Sequence, residues 1–261
     1  MKIFLLGGTK DSVNIIEHVK NNYDAFILTT TTTEYGAKLA LEWGSDETIA
    51  RPLLKDEITE IFIDGNFDIL IDATHPFAEH ITQTSTSIAK ELNIPFIRFE
   101  RPPINLENID TSRIHYVNSF DEAGKLIESN FPKGNIMHFA GANTMGEVLK
   151  HVSTERFYPR ILKVASSLEK CEKLNVNPDH IIPMKGAASK EENIELIEKY
   201  GASVMITKES GEIGGVIEKI EAANEKDIAI IMIQRPEIVE LNKNDIVSNL
   251  DELDIKLKSF F

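Results

Sequence analysis

Cysteine is almost missing from the 261 residues: Cys171 stands alone, which excludes an internal disulfide and any cysteine-based zinc or iron–sulfur site. It falls in Ser167-Leu168-Glu169-Lys170-Cys171-Glu172, a helical pattern with nothing beside it to activate a thiol. Long apolar runs are missing too. The start, Met1-Lys2-Ile3-Phe4-Leu5-Leu6-Gly7, closes its short apolar stretch with glycine, too soon for a secretory core or a bilayer span. No later segment is long and apolar enough either, so the expectation is a soluble, cytoplasmic protein with no membrane partner. Basic charge is also scarce: 42 acidic against 28 basic residues give a net charge of −14. No basic stripe offsets this, which excludes nucleic acid as a partner, because phosphate binding needs one. Low-complexity sequence is confined to the threonines of 29–33, and no repeat of fixed period occurs.

What is present is alternation. Short β-like runs at 2–6, 25–29, 67–71, 95–99, 135–139, 203–207 and 228–233 are separated by amphipathic helical patterns. Those helical patterns include 11–21, 77–93, 120–130, 190–200 and 215–224. Parallel strands need crossovers, so the alternation predicts an α/β fold, Rossmann-like, with mostly parallel sheets covered by helices. A proline-led, polar break at 101–108 divides the chain into an amino-terminal domain, 1–105, and a carboxy-terminal domain, 106–261. Two Rossmann-like domains facing a cleft are expected.

Four places can carry chemistry. Gly7-Gly8-Thr9-Lys10-Asp11-Ser12 follows the first strand and opens a helix, where free backbone amides favour a phosphate. It departs from G-x-G-x-x-G, and a capped strand-to-helix turn explains it equally well. Thr29 and Thr30 end the second strand, where NAD-binding sheets carry an acid for the ribose. Only hydroxyls occur before Glu34, which favours NADPH over NADH, although a β-propense run entering a loop reads the same way. Asp72-Ala73-Thr74-His75-Pro76-Phe77-Ala78 follows the apolar run 67–71. Pro76 suits the first helical position with Thr74 or His75 near the cap. The carboxyl end of a parallel strand is also where α/β folds place ligands, and the functional reading is preferred. Thr207-Lys208-Glu209-Ser210-Gly211 repeats that placement in the second half, against the alternative of a loop with a solvated Lys208 and Glu209. Arginines at Arg98, Arg101, Arg156 and Arg160 complete the set, and Arg235-Pro236 echoes Arg101-Pro102, as if two related halves were present.

Together these segments resemble the precorrin-6A reductase family, including its cobalt-precorrin-6A branch. The residues that carry the resemblance are Leu6-Gly7-Gly8-Thr9, the run from Asp72 to Ala78, Arg98 to Pro102, Arg156 to Leu162, Lys185 to Asn193, Thr207 to Gly211, and Arg235-Pro236. They span nearly the whole chain in family order. One departure is Gly186-Ala187-Ala188, where the family pattern has Gly-Pro-Phe. The resemblance implies two Rossmann-like domains with strand exchange in some members. It also implies NAD(P)H-dependent reduction of one carbon–carbon double bond of a tetrapyrrole in cobalamin biosynthesis. Gly7, Gly8, Thr9, Thr29, Thr30, Asp72 and Thr74 are then the cofactor-binding candidates, for NADPH or NADH, and no metal site is expected. The polycarboxylate substrate would be held by Arg98, Arg101, Arg156, Arg160, Lys185, Lys208, Ser210 and Gly211. His75 and Lys208 are the catalytic candidates, both facing substrate, with bound water an equal source of the proton. These readings need no second copy, and a monomer satisfies them. Two other classes share part of the pattern: a two-lobed NAD(P)-dependent oxidoreductase of another small molecule, and a non-catalytic ligand-sensing module. Neither has reason to carry both specific motifs.

Overall fold

The computed structural model describes residues 1–183, 186–211 and 214–260. The chain forms two compact units, Met1–Pro102 with Pro236–Phe261, and Pro103–Arg235. In the first, β1 (Lys2–Leu6), α1 (Lys10–Asn22), β2 (Phe26–Thr31), α2 (Glu34–Glu42) and β3 (Glu47–Ala50) build one half of a sheet. Then α3 (Lys55–Asp64), β4 (Ile69–Asp72), α4 (Glu79–Leu92) and β5 (Phe96–Phe99) build the other. Side chains alternate across a strand, and β1 shows the result. Ile3 and Leu5 pack with Ile15, Ile16 and Val19 of α1, whereas Phe4 and Leu6 pack with Ile58 and Phe62 of α3 and Ile88 of α4. A strand covered on both faces has to read as an unbroken apolar run, which is why this one is plain in the sequence.

The second unit repeats the plan with β6 (Ile114–Val117), α5 (Phe120–Asn130), β7 (Asn135–His138), α6 (Met145–Val148) and β8 (Phe157–Ile161). It continues through α7 (Ala165–Lys173), β9 (Ile182–Pro183), α8 (Lys190–Tyr200), β10 (Ala202–Lys208), α9 (Val216–Glu225) and β11 (Ala229–Ile233). Its strand order is β6-β11-β10-β7-β8-β9. All pairings in both sheets are parallel, as the alternation predicts.

The chain then returns. β12 (Ile246–Val247) pairs with β5, so the first sheet runs β12-β5-β4-β1-β2-β3, and α10 (Leu250–Phe260) buries Leu253 and Leu257 in the first unit. Asp254 of α10 accepts from Tyr23 Oη at 2.9 Å and lies 2.8 Å from His18 Nε2, tying the returning helix to α1. The single boundary expected near residue 105 is therefore two crossings, and 236–261 belong with the first unit. Both crossings fall at arginine–proline steps, Arg101-Pro102-Pro103 and Arg235-Pro236. Proline ends a strand because it has no N–H for the ladder. The echo between the dipeptides marks where the chain leaves each unit, rather than a duplicated half.

Candidate functional site

The first sheet has strand order 3-2-1-4-5 with β12 beyond, the doubly wound arrangement whose direction of growth reverses beside β1. A cavity of about 600 Å³ opens there, at the carboxyl ends of β1, β2 and β4. Gly7, Gly8, Thr9, Thr30, Thr74 and His75 all line it. Gly7 is required by packing, since a Cβ would stand 2.9 Å from the Thr29 methyl and 3.1 Å from Ser12 Oγ. Gly8 is required by its backbone, at φ +96°, since a Cβ there would make only an ordinary 3.9 Å contact with Thr31 Cβ. Thr9 caps α1 and donates to Ala73 O at 2.7 Å, joining the tips of β1 and β4. The amides of Gly8 and Thr9 converge on Ser12 Oγ at 3.1 and 3.2 Å.

Thr29 and Asp72 are placed otherwise. Thr29 Oγ1 is fully buried, 2.7 Å from Ser45 Oγ, and does not reach the cavity. Asp72 is also fully buried and accepts from Thr74 N at 2.9 Å, Thr74 Oγ1 at 2.7 Å and Thr82 Oγ1 at 2.6 Å, with Arg98 Nη1 2.9 Å from Oδ1 as its ion-pair partner. Arg98, 1% exposed, reaches Thr74 Oγ1 at 3.1 Å and Glu100 at 3.2 Å as well. Asp72 and Arg98, expected to bind cofactor and substrate, hold the β4 tip in shape, and neither lines the cavity. A carboxylate with no exposed surface presents no face to a ribose, and a guanidinium this buried is closed to an incoming acid. Arg101 donates to Asp11 Oδ2 at 2.7 Å, across to the first turn of α1.

The start of α4 also differs from expectation. The helix begins at Glu79 with Ala78 as its cap residue, and Pro76 and Phe77 form a preceding turn. That turn is closed by Ala78 N donating to His75 O at 2.8 Å and Phe77 N donating to His75 Nδ1 at 3.2 Å. With Nδ1 accepting, the neutral ring carries its proton on Nε2.

At the carboxyl ends of the second sheet, His138 closes β7 and Lys208 closes β10. Burial pushes Lys208 down to about 8, and its Nζ lies 5.5 Å from the centroid of the Phe120 ring. His138 is fully buried. Desolvation pushes it down to about 3, with the charge of Lys208 adding to the effect against the opposing Gly141 hydrogen bond. Its Nε2 contacts Gly141 O at 3.2 Å, so that nitrogen carries the proton. Nδ1 is buried and has no hydrogen-bond partner among the described residues. Glu209, solvated under the loop alternative, is instead buried: Oε1 accepts from Ile104 N at 3.1 Å and Gly211 N at 3.2 Å, and Oε2 pairs with Arg235. Ser210 and Gly211 are buried beside it. The Arg160 guanidinium lies 4.6 Å from the Phe139 ring centroid, and burial lowers its pKa. Lys219 of α9, which no sequence pattern flags, is 3% exposed, donates to Gly214 O at 2.7 Å and is pushed down to about 7, first by desolvation and then by Arg160.

Arg156 lies at the opposite edge. It precedes β8 and donates to Phe131 O at 2.6 Å and Lys133 O at 3.0 Å, which explains its burial without a substrate. Lys185 lies outside the described residues. Two further residues carry no motif. His138 ends a strand just as Lys208 does, and that placement is the one signal that could have found it. Arg51 follows β3, a strand with no apolar run to mark it. No helix among the described residues is long and apolar enough to cross a membrane, and they contain no cluster of three or more metal-ligating side chains.

Two parallel sheets, the first in doubly wound order with a glycine turn and a cavity at its carboxyl edge, define an α/β protein of Rossmann type. The chain belongs to the precorrin-6x reductase CbiJ/CobK family, whose model matches residues 2–256, and is thus an oxidoreductase. It is 39% identical to the cobalt-precorrin-6A reductase of Methanothermobacter thermautotrophicus, over 97% of this chain and 82% of the relative. It is 40% identical to the enzyme of the same name from Methanocaldococcus jannaschii, over 91% of this chain and 92% of the relative. The solved structure of CobK precorrin-6A reductase matches with a TM-score of 0.77 at 16% identity, covering 100% of this chain and 97% of that one, a likeness of fold.

Proposed function

We propose that the chain reduces one carbon–carbon double bond of cobalt-precorrin-6A, with NADPH as hydride source, in cobalamin biosynthesis. The observation that carries this reading is the extent of the family match, residues 2–256, which contains both sheets and both specific motifs. The glycine turn fits a nucleotide. A phosphate oxygen taking the place of Ser12 Oγ would meet the amides of Gly8 and Thr9 together, at the N-terminus of the 13-residue α1. Thr30, at the β2 tip, offers a hydroxyl to the ribose side, and the absence of an acid in 29–33 favours a 2′-phosphate.

A bound nicotinamide supplies the hydride, and the protein's share is alignment, desolvation and a proton. Thr74, fixed between Asp72 and Arg98, sets the β4 wall of the cavity. The carbon next to the one that receives hydride takes its proton from a bound water, which His75 Nε2–H positions by hydrogen bonding. Lys208 and Arg160 meet substrate carboxylates. At pH 7 a lysine with a pKa of about 8 is still about nine-tenths protonated, and an arriving carboxylate stabilises that form further.

The test is loss of the reduced-nicotinamide absorbance when purified protein is mixed with cobalt-precorrin-6A or metal-free precorrin-6A, each with NADPH and with NADH. Turnover with the cobalt form and NADPH is expected. Absence of oxidation in all four mixtures overturns the reading.

A further inference from the structure

We propose that Arg51 is the residue that selects NADPH over NADH, by taking the 2′-phosphate of the nucleotide. The inference rests on reading the first-unit cavity as the nucleotide site, and adds to it a specificity determinant that no motif carries. Arg51 directly follows β3, whose Ala50 pairs with Thr31 of β2. It lines the same cavity as Gly8 and the threonines Thr30, Thr31 and Thr32. The phosphate cradle, the β2 tip and a guanidinium thus face one space. An adenosine ribose lies at the β2 tip when the pyrophosphate sits on the β1–α1 turn. No carboxylate occupies 29–33, so the position that would repel a 2′-phosphate holds hydroxyls instead.

The guanidinium is presented rather than loose. Glu57 Oε1 lies 2.7 Å from Nη2, and Nη1 donates to Pro52 O at 3.1 Å. Glu57 is itself anchored, accepting from Leu54 N at 2.8 Å just before α3. These contacts use two of the five guanidinium donors. The side chain is 55% exposed, which leaves the rest of the fork open to an anion. A fork fits phosphate oxygens in pairs, as a lysine would not.

The test compares dissociation constants of NADPH and NADH for the wild type, Arg51→Ala and Arg51→Lys. Adenosine 2′,5′-bisphosphate and 5′-AMP serve as smaller probes of the same difference. Arg51→Ala is expected to weaken NADPH and the bisphosphate about ten- to thirtyfold, the low end for charged hydrogen bonds because the site is half exposed. NADH and AMP should shift less than about twofold. Arg51→Lys should recover part of the loss, which a merely structural role for Arg51 would not predict. Equal weakening of both nucleotides, or equal wild-type affinity for them, overturns the assignment while leaving the cavity as a nucleotide site. A wild type that binds neither nucleotide overturns both.

Discussion

Replacing Arg98 separates two roles that sequence alone does not distinguish. Read from its motif, Arg98 holds a substrate carboxylate; read from the structure, it neutralises Asp72. Arg98→Met keeps most of the stem volume and removes the charge. The pair is 1% and 0% exposed, so Asp72 would be left ionised in the interior. Breaking a buried pair from one side costs about 3–5 kcal/mol. Thr74 N, Thr74 Oγ1 and Thr82 Oγ1 remain as donors and soften the loss, so the low end, about 3 kcal/mol, is expected. For a chain of this length that corresponds to a fall of roughly 6–12 °C in Tm. Adding Asp72→Asn to Arg98→Met should restore part of it, because the uncompensated charge is then gone. The assays are thermal melting of the single and double variants, with macrocycle and NADPH titrations well below their transitions. A folded Arg98→Met within about 1 kcal/mol of the wild type that has lost macrocycle affinity would refute the reasoning and return Arg98 to the substrate.

Macrocycle affinity should fall as pH rises through the region near 8, where Lys208 loses its charge, and Lys208→Met should flatten that profile in isothermal titrations. Lys219 has a folded pKa of about 7 against an ordinary value of 10.5, so between these values the unfolded chain binds the extra proton and stability rises with pH. The gain should be on the order of 2–4 kcal/mol from pH 7 to 10 in urea unfolding, and Lys219→Met should abolish it. His75→Asn, which can still accept from the Phe77 amide, should lower turnover with NADPH affinity nearly unchanged; wild-type turnover across neutral pH would remove His75 from proton transfer.

Elements with their own apolar signal are legible in the sequence by themselves. β1, β4, β10 and β11 are covered on both faces, so their runs can hardly be anything else. β3, with the half-exposed pattern of an edge, and β12, two residues long, exist only because a neighbouring strand pairs with them, and no local pattern announces that. Arg51 is hidden with β3. The glycine turn and His75 are legible because strand, turn and helix follow one another locally. For Arg98 and Arg156 the local pattern says nothing of their partners. Which carboxylate or carbonyl satisfies an arginine depends on residues distant in sequence, Asp72 for one and Phe131 with Lys133 for the other.

The charge problem of an acidic protein and an acidic substrate takes a different form once the arginines are placed. Arg98, Arg101 and Arg235 each face an internal carboxylate, Asp72, Asp11 and Glu209, so much of their field is cancelled within the protein. Lys208, Arg160 and Lys219 have pKa values lowered chiefly by burial, which means their surroundings oppose the charge more than they support it. A cation in that condition gains most from an arriving anion, because the carboxylate replaces solvent already lost and meets little screening. Net charge of −14 sets the long-range field at low salt, while Lys208 and Arg160 in the second unit are the cations expected to meet a carboxylate at contact, Lys219 being too deeply buried to reach one. Substitution of Lys208 or Arg160 should therefore lower macrocycle affinity more than substitution of Arg98 or Arg101, which separates candidates that the motifs place side by side.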